Sequence, residues 1–148
     1  MSDTKLNRTV SYCLLGMVVS LLLVGLVSGT PIRHVIQVTP ACVIAAAVWR
    51  GLTWSRAAAL PIFLIWLFLM ILIWLYLLGI AAVISGTFSA AEIVLTITIA
   101  ICAIGGTVFV FRGRNRAPWI SRLLGFVVSA AFQIAALWLS FQPAFARR

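Results

Sequence analysis

Five stretches of this 148-residue chain, at positions 10–28, 31–49, 57–84, 91–111 and 119–141, are almost wholly apolar, and the short connections between them carry nearly all of the charge. About 20 helical residues cross the ~30 Å of hydrocarbon in a bilayer, so each stretch is membrane-length or close to it. A soluble interior of this size cannot hide five such segments. A bilayer also leaves backbone amides no partner but one another, which makes each stretch a helix. The composition agrees: 64% of residues are hydrophobic and 9% charged, with a mean hydropathy of +1.20. A soluble domain is about 45–50% apolar and about 25% charged. The expected fold is an all-α, polytopic transmembrane helical bundle forming a single integral membrane domain over 1–148. Its plan is two helical hairpins with a C-terminal helix appended.

Charge placement orients the bundle. Eleven Lys and Arg face only Asp3 and Glu92, for a net charge of +9. With the N-terminus cytoplasmic and five crossings, Lys5, Arg8, Arg50, Arg56, Arg112, Arg114, Arg116 and Arg122 share the cytoplasmic side, while Arg33, Arg147 and Arg148 lie outside. That asymmetry follows the positive-inside rule. A re-entrant second stretch would move Arg50 and Arg56 outward and weaken it. The expected location is the bacterial inner (cytoplasmic) membrane. The cations stand at segment ends rather than across a wetted face, so the expected surface partner is the anionic headgroup layer and not nucleic acid.

Local signals mark the helix ends. Thr30-Pro31 fits an N-cap followed by proline at the first helical position. Ser89 through Glu92 matches a capping box. Pro118 opens the fifth stretch, with Trp119 at interfacial level, as Trp49 and Trp54 are around the second connection. The first stretch, an 18-residue apolar run from Val10 to Val27 broken only by Ser11 and Ser20, exceeds the h-region of a signal peptide and reads as a retained helix. The third, rich in large apolar side chains from Pro61 to Gly79, reads as a helix that faces lipid or a hydrophobic partner over much of its surface; at 28 residues it should tilt or protrude. Leu26–Thr30 and Val83–Thr87 share a pattern, too short to establish a duplication.

Polar residues within the stretches define the candidate sites. Arg33, His34, Gln37 and Glu92 form an expected polar cluster at the outer ends of helices two and four. Arg33 and Glu92 would pair across the hairpins there; the alternative for Glu92 is capping. Pro40 should free a carbonyl and kink helix two, and Thr39, Thr96, Thr98 and Gln133 are the remaining mid-span polar groups. Arg112, Arg114, Arg116 and Arg122 form a cytoplasmic cluster suited to headgroups or an acidic partner. Gly25 with Gly29, Ala41 with Ala45, and Ala131 with Ala135 are small pairs four residues apart, the spacing at which membrane helices approach closely.

Reactive chemistry is scarce. Cys13, Cys42 and Cys102 lie inside apolar stretches without Cys-x-x-Cys spacing. One histidine and two carboxylates supply neither a metal cluster nor an acid–base pair, so no catalytic residue, metal ligand or cofactor is expected, and a bound lipid is the one ligand anticipated. Two functions remain in view. One is a non-catalytic accessory or structural subunit packing on a larger membrane complex, its partner another membrane protein. The other is a small-solute transporter or channel, self-associated as a homo-oligomer or acting as the small membrane subunit of a carrier, that uses the outer polar cluster.

Overall fold

The computed structural model describes residues 2–81, 87–113 and 117–143. They form five helices: α1 (Asp3–Val27), α2 (Pro31–Trp49), α3 (Ser55–Leu77), α4 (Ala90–Arg112) and α5 (Trp119–Ser140). All five are long and apolar enough to cross a membrane, and the described residues contain no strand.

Helix α1 begins seven residues before the expected Val10. Ser2 caps it by accepting from the Lys5 N–H at 3.4 Å. The sequence reading followed apolar residues, whereas the helix runs on into its polar, headgroup-level turn. Three helices end in the same way. Gly29, Gly51 and Gly79 adopt φ of +69°, +73° and +70°, a region L side chains avoid. The residue after each donates back into the last turn: Thr30 to Gly25 O (2.8 Å), Leu52 to Ala47 O (3.2 Å) and Ile80 to Leu75 O (2.9 Å). This stop at Gly79 shortens the third helix to 23 residues, about 34 Å at 1.5 Å per residue. The expected extension to 84, and residues 83–86 of the possible repeat, lie outside the described residues.

Contacts fix the helix directions. Between α1 and α2, the Ser11 hydroxyl donates to Ala45 O at 2.9 Å, Tyr12 meets Trp49 edge-on, and Gly25 lies against His34. Between α1 and α4, Gly16 faces Cys102 and Cys13 faces Gly105. Between α3 and α4, the Phe63 ring lies on Gly106 and the Arg56 guanidinium against Gly113. In each pair one residue number rises as its partner falls, so neighbours run antiparallel. Helices α3 and α5 run parallel, with Gly125 against Trp54 and Ala58 near both N-termini. The order around the bundle is α1, α2, α5, α3, α4, and α3 also reaches across to α1 and α2. The paired α1–α2 and α3–α4 contacts fit two hairpins, and the C-terminal helix packs on both. It closes the ring between α2 and α3.

The third helix divides its surface between the core and the outside. A larger share of the α3 span is buried (39%) than of α4 or α5 (22% each). Ala58, Ala59, Ile62, Phe63, Trp66 and Met70 enter the core, while Phe68, Ile71 and Leu78 stay outside. Bulk did not imply lipid exposure, because neighbouring helices supply the small residues, Gly106, Ala103 and Gly125, against which large ones pack.

Helices α1 to α4 share an apolar core that includes Leu14, Met17, Leu21, Val38, Ile44, Ile62, Phe63 and Ile99. Helix α5 is different. Its buried residues are Ser129, Gln133, Ala136 and Ser140, spaced along one face, while Ile120, Leu124, Val127, Val128, Ile134 and Trp138 point outward. The bundle has a basic end, holding Lys5, Arg8, Arg50, Arg56, Arg112 and Arg122, and an opposite end holding Arg33, His34 and Glu92.

Candidate functional site

The most polar buried region is the seam joining α5 to α2 and α3. Pro40, fully buried, removes one N–H from the interior of α2, which leaves the Ile36 carbonyl without its helical donor. One residue along, the Gln37 carbonyl accepts from Gln133 Nε2 at 3.1 Å. Neighbouring helices commonly supply such bonds around membrane prolines. The Gln37 side chain completes the crossing: its Nε2 donates to Ser140 Oγ at 2.9 Å, and the Ser140 hydroxyl donates to Leu137 O at 2.7 Å. Gln37, Gln133 and Ser140 are all buried. Interhelical bonds of this kind average about 0.6 kcal/mol each, so together they fix the register of α5 more than they drive its docking.

The expected four-residue outer cluster is divided. Arg33 and Gln37, one turn apart, both face α5, and the Arg33 guanidinium stands 4.1 Å from the centroid of the Phe141 ring. His34 faces α1 instead, with its ring against Gly25 and Nδ1 at 3.0 Å from Thr30 O. Glu92 closes its own capping box: Ser89 N–H donates to Oε2 at 2.7 Å, and Ser89 Oγ accepts from the Glu92 N–H at 3.3 Å. Arg33 and Glu92 do not pair, because the carboxylate is engaged by its cap and the guanidinium by an aromatic face. His34 lies within electrostatic reach of both. Reversing both charges (Arg33→Glu with Glu92→Arg) should therefore give no rescue relative to either single reversal. Thermal stability of the purified double variant checks this.

The small-residue pairs divide too. Ala41 and Ala45 are in the core, and Gly25 meets His34. Gly29 instead terminates a helix, with no atom within 4 Å of where a Cβ would stand, and Ala131 and Ala135 are exposed. The face of α5 turned inward is the one bearing Ser129 and Gln133. The spacing Ser129, Gln133, Ala136, Ser140 was visible in the sequence, but small-residue spacing favoured a different face. Ser129 and Ser140 were missed as site residues.

At the basic end, Arg112 and Arg122 are exposed, with the Arg112 guanidinium near the Phe109 ring; Arg114 and Arg116 lie outside the described residues. The buried cation there is Arg56, and it pairs with Asp3 at 3.4 Å. Asp3, though itself exposed, is thus a structural partner of Arg56. Beside this end an open apolar groove of about 480 Å³ runs between α3 and α5, lined by Trp54, Pro118, Ile120, Ser121, Leu124, Gly125 and Val128. Among the described residues no three of His, Cys, Asp and Glu come together. The seam can donate and accept hydrogen bonds, and it holds no carboxylate or imidazole.

Comparison with protein-family models, characterised proteins and solved structures returns no match. The chain is a bundle of five membrane-span-like helices, and its function is argued from that geometry alone.

Proposed function

We propose that this chain is a non-catalytic integral membrane protein serving as an accessory or structural subunit of a larger membrane assembly, with its basic end cytoplasmic in a bacterial inner membrane. The observation that carries the reading is the filled bundle axis. Leu14, Met17, Leu21, Ile62, Phe63 and Ile99 are each less than 3% exposed and pack together, so apolar side chains occupy the line a solute would follow. The Ser140 hydroxyl and the Gln133 Nε2 of α5 are engaged in holding it to α2.

Helix α4 supplies a face suited to a partner. Val94, Ile97, Ile101, Ile104, Val108 and Phe111 are all exposed and alternate three and four residues apart, the spacing of a helix–helix seam. Orientation rests on the charge asymmetry between the two ends. The alternative, a small-solute carrier or channel, rests on the polar row Arg33, Gln37 and Gln133 entering from the opposite end.

Purification from native membranes in a gentle detergent separates the two. The subunit reading expects a larger membrane protein to co-purify in fixed stoichiometry and to be lost on Ile101→Trp, which reshapes the α4 face without touching the core. A self-contained oligomer whose solute flux disappears on Arg33→Ala would instead establish the carrier and overturn the subunit.

A further inference from the structure

The apolar groove at the basic end has a definite length and width. Its α5 wall runs from Pro118 to Val128, about 15 Å of helical rise, from the start of the helix to its middle. That is roughly half of the ~30 Å hydrocarbon core, the depth of one leaflet. Two rows line this wall: Ser121 with Gly125, and Leu124 with Val128, each pair one turn apart. Trp54, at the start of α3, lines the groove from the other side, and its carbonyl would stand 3.3 Å from a Cβ at Gly125. A volume of about 480 Å³ spread over this length makes the groove about 6 Å wide.

Width, depth and charge select the occupant. An α-helix is about 10–12 Å across, too wide to enter, and a spanning partner helix would not stop at mid-membrane. Carbon atoms pack ~4 Å apart, so one extended hydrocarbon chain fits. A chain that begins at headgroup level and ends at mid-membrane is what a lipid of one leaflet presents. The mouth of the groove is cationic. Arg122 is exposed on α5 between Ser121 and Leu124, and Arg50 is exposed on the connection that leads to Trp54. Of the two carboxylates in the chain, Asp3 is paired with Arg56 and Glu92 lies at the opposite end. Exposed Trp119 marks the headgroup level beside them.

We propose that this groove is a binding site for one anionic phospholipid of the leaflet at the basic end. One acyl chain enters beside Trp54 and Pro118 and lies along Leu124 and Val128. The phosphodiester stands at Arg122, with Arg50 adding to the positive field. The apolar wall accepts the chain of any lipid, so the headgroup preference comes from the arginines. The site requires only that the bundle lies in a bilayer. It depends neither on which end is cytoplasmic nor on a partner subunit.

The test uses the full chain in phosphatidylcholine nanodiscs that contain a small, fixed fraction of phosphatidylglycerol with a diazirine in its acyl chain; adducts are mapped by peptide mass spectrometry. The expected adducts concentrate on Trp54 and on residues 120–128. Replacing part of the phosphatidylcholine by unlabelled phosphatidylglycerol of the same chains displaces them, whereas phosphatidylethanolamine does not. The adduct yield falls about fivefold in Arg122→Ala, the preference one cation supplies at the membrane surface. Val128→Trp, which fills the groove from an exposed position, lowers it to background. Adducts spread evenly over the exposed faces of α4 and α5, or equal displacement by the two unlabelled lipids, would overturn the proposal. Crosslinks between copies with no lipid adduct in the groove would assign it to self-association and overturn it too, as would a yield unchanged in Arg122→Ala. The unaltered chain alone decides the distribution and the displacement, so the test survives a variant that fails to fold.

Discussion

Gly106→Ala should destabilise the bundle by about 1–3 kcal/mol, the usual cost of forcing an extra methyl into a packed core. A Cβ at this position would run into the Phe63 ring tip, against Cζ and both Cε atoms. The ring tip could yield at a surface, but Phe63 is fully buried and seated in the axis. Phe63→Ala alone should cost more, about 3–5 kcal/mol, because it leaves a cavity between α3 and α4. The two changes are coupled, since the added methyl enters space the ring has left. The double variant should therefore be less destabilised than the sum of the singles, the signature of residues in contact. Reversible unfolding in mixed micelles measures all three. Additive effects would mean that the ring does not lie on Gly106.

Gly25→Ala should separate α1 from α2 at the opposite end of the bundle, again at a cost of about 1–3 kcal/mol. Here the new Cβ would meet His34 Cβ at 2.8 Å, with Cγ and Nδ1 at 2.9 Å. A Cβ cannot swing aside as a ring tip can, so the backbones themselves must part. His34→Gly, added to Gly25→Ala, should restore part of the loss, whereas His34→Ala should restore less because the Cβ contact remains. Gly29→Ala provides the contrast. Its cost, roughly 1–2 kcal/mol, comes from placing an L side chain at φ +69°. No change at His34 should relieve it, because nothing lies within 4 Å of the position. The two glycines are four residues apart and act through different physics.

That pair shows how far the sequence could be read. Local chemistry was partly legible: Pro31 opens α2, although Thr30 at its N-cap makes no side-chain cap bond, and Ser89 with Glu92 forms the capping box, because caps depend on residues within one turn. The existence of five helices followed from length and hydropathy. Which face of a helix turns inward was not legible, because in a membrane both faces are apolar enough for either environment. Ala131 and Ala135 fit a packing motif, yet α5 buries Ser129 and Gln133, since a bilayer accepts alanine readily and amides poorly. The position of α5 between α2 and α3 was equally hidden, being decided by contacts about a hundred residues apart in the chain, such as Gln37 with Ser140. Asp3 and Arg56 paired for a similar reason: α1 extends to Asp3, and no local signal ties it to the start of α3.

The central claim is an odd number of crossings with the basic end in the cytoplasm, and a paired C-terminal fusion in bacterial cells tests it most directly. With alkaline phosphatase or a green fluorescent protein joined after Arg148, the account predicts an active phosphatase and a dark fluorophore, because α5 leads away from the basic end. A fluorescent fusion with an inactive phosphatase would contradict it, requiring either an even number of crossings or an inverted bundle.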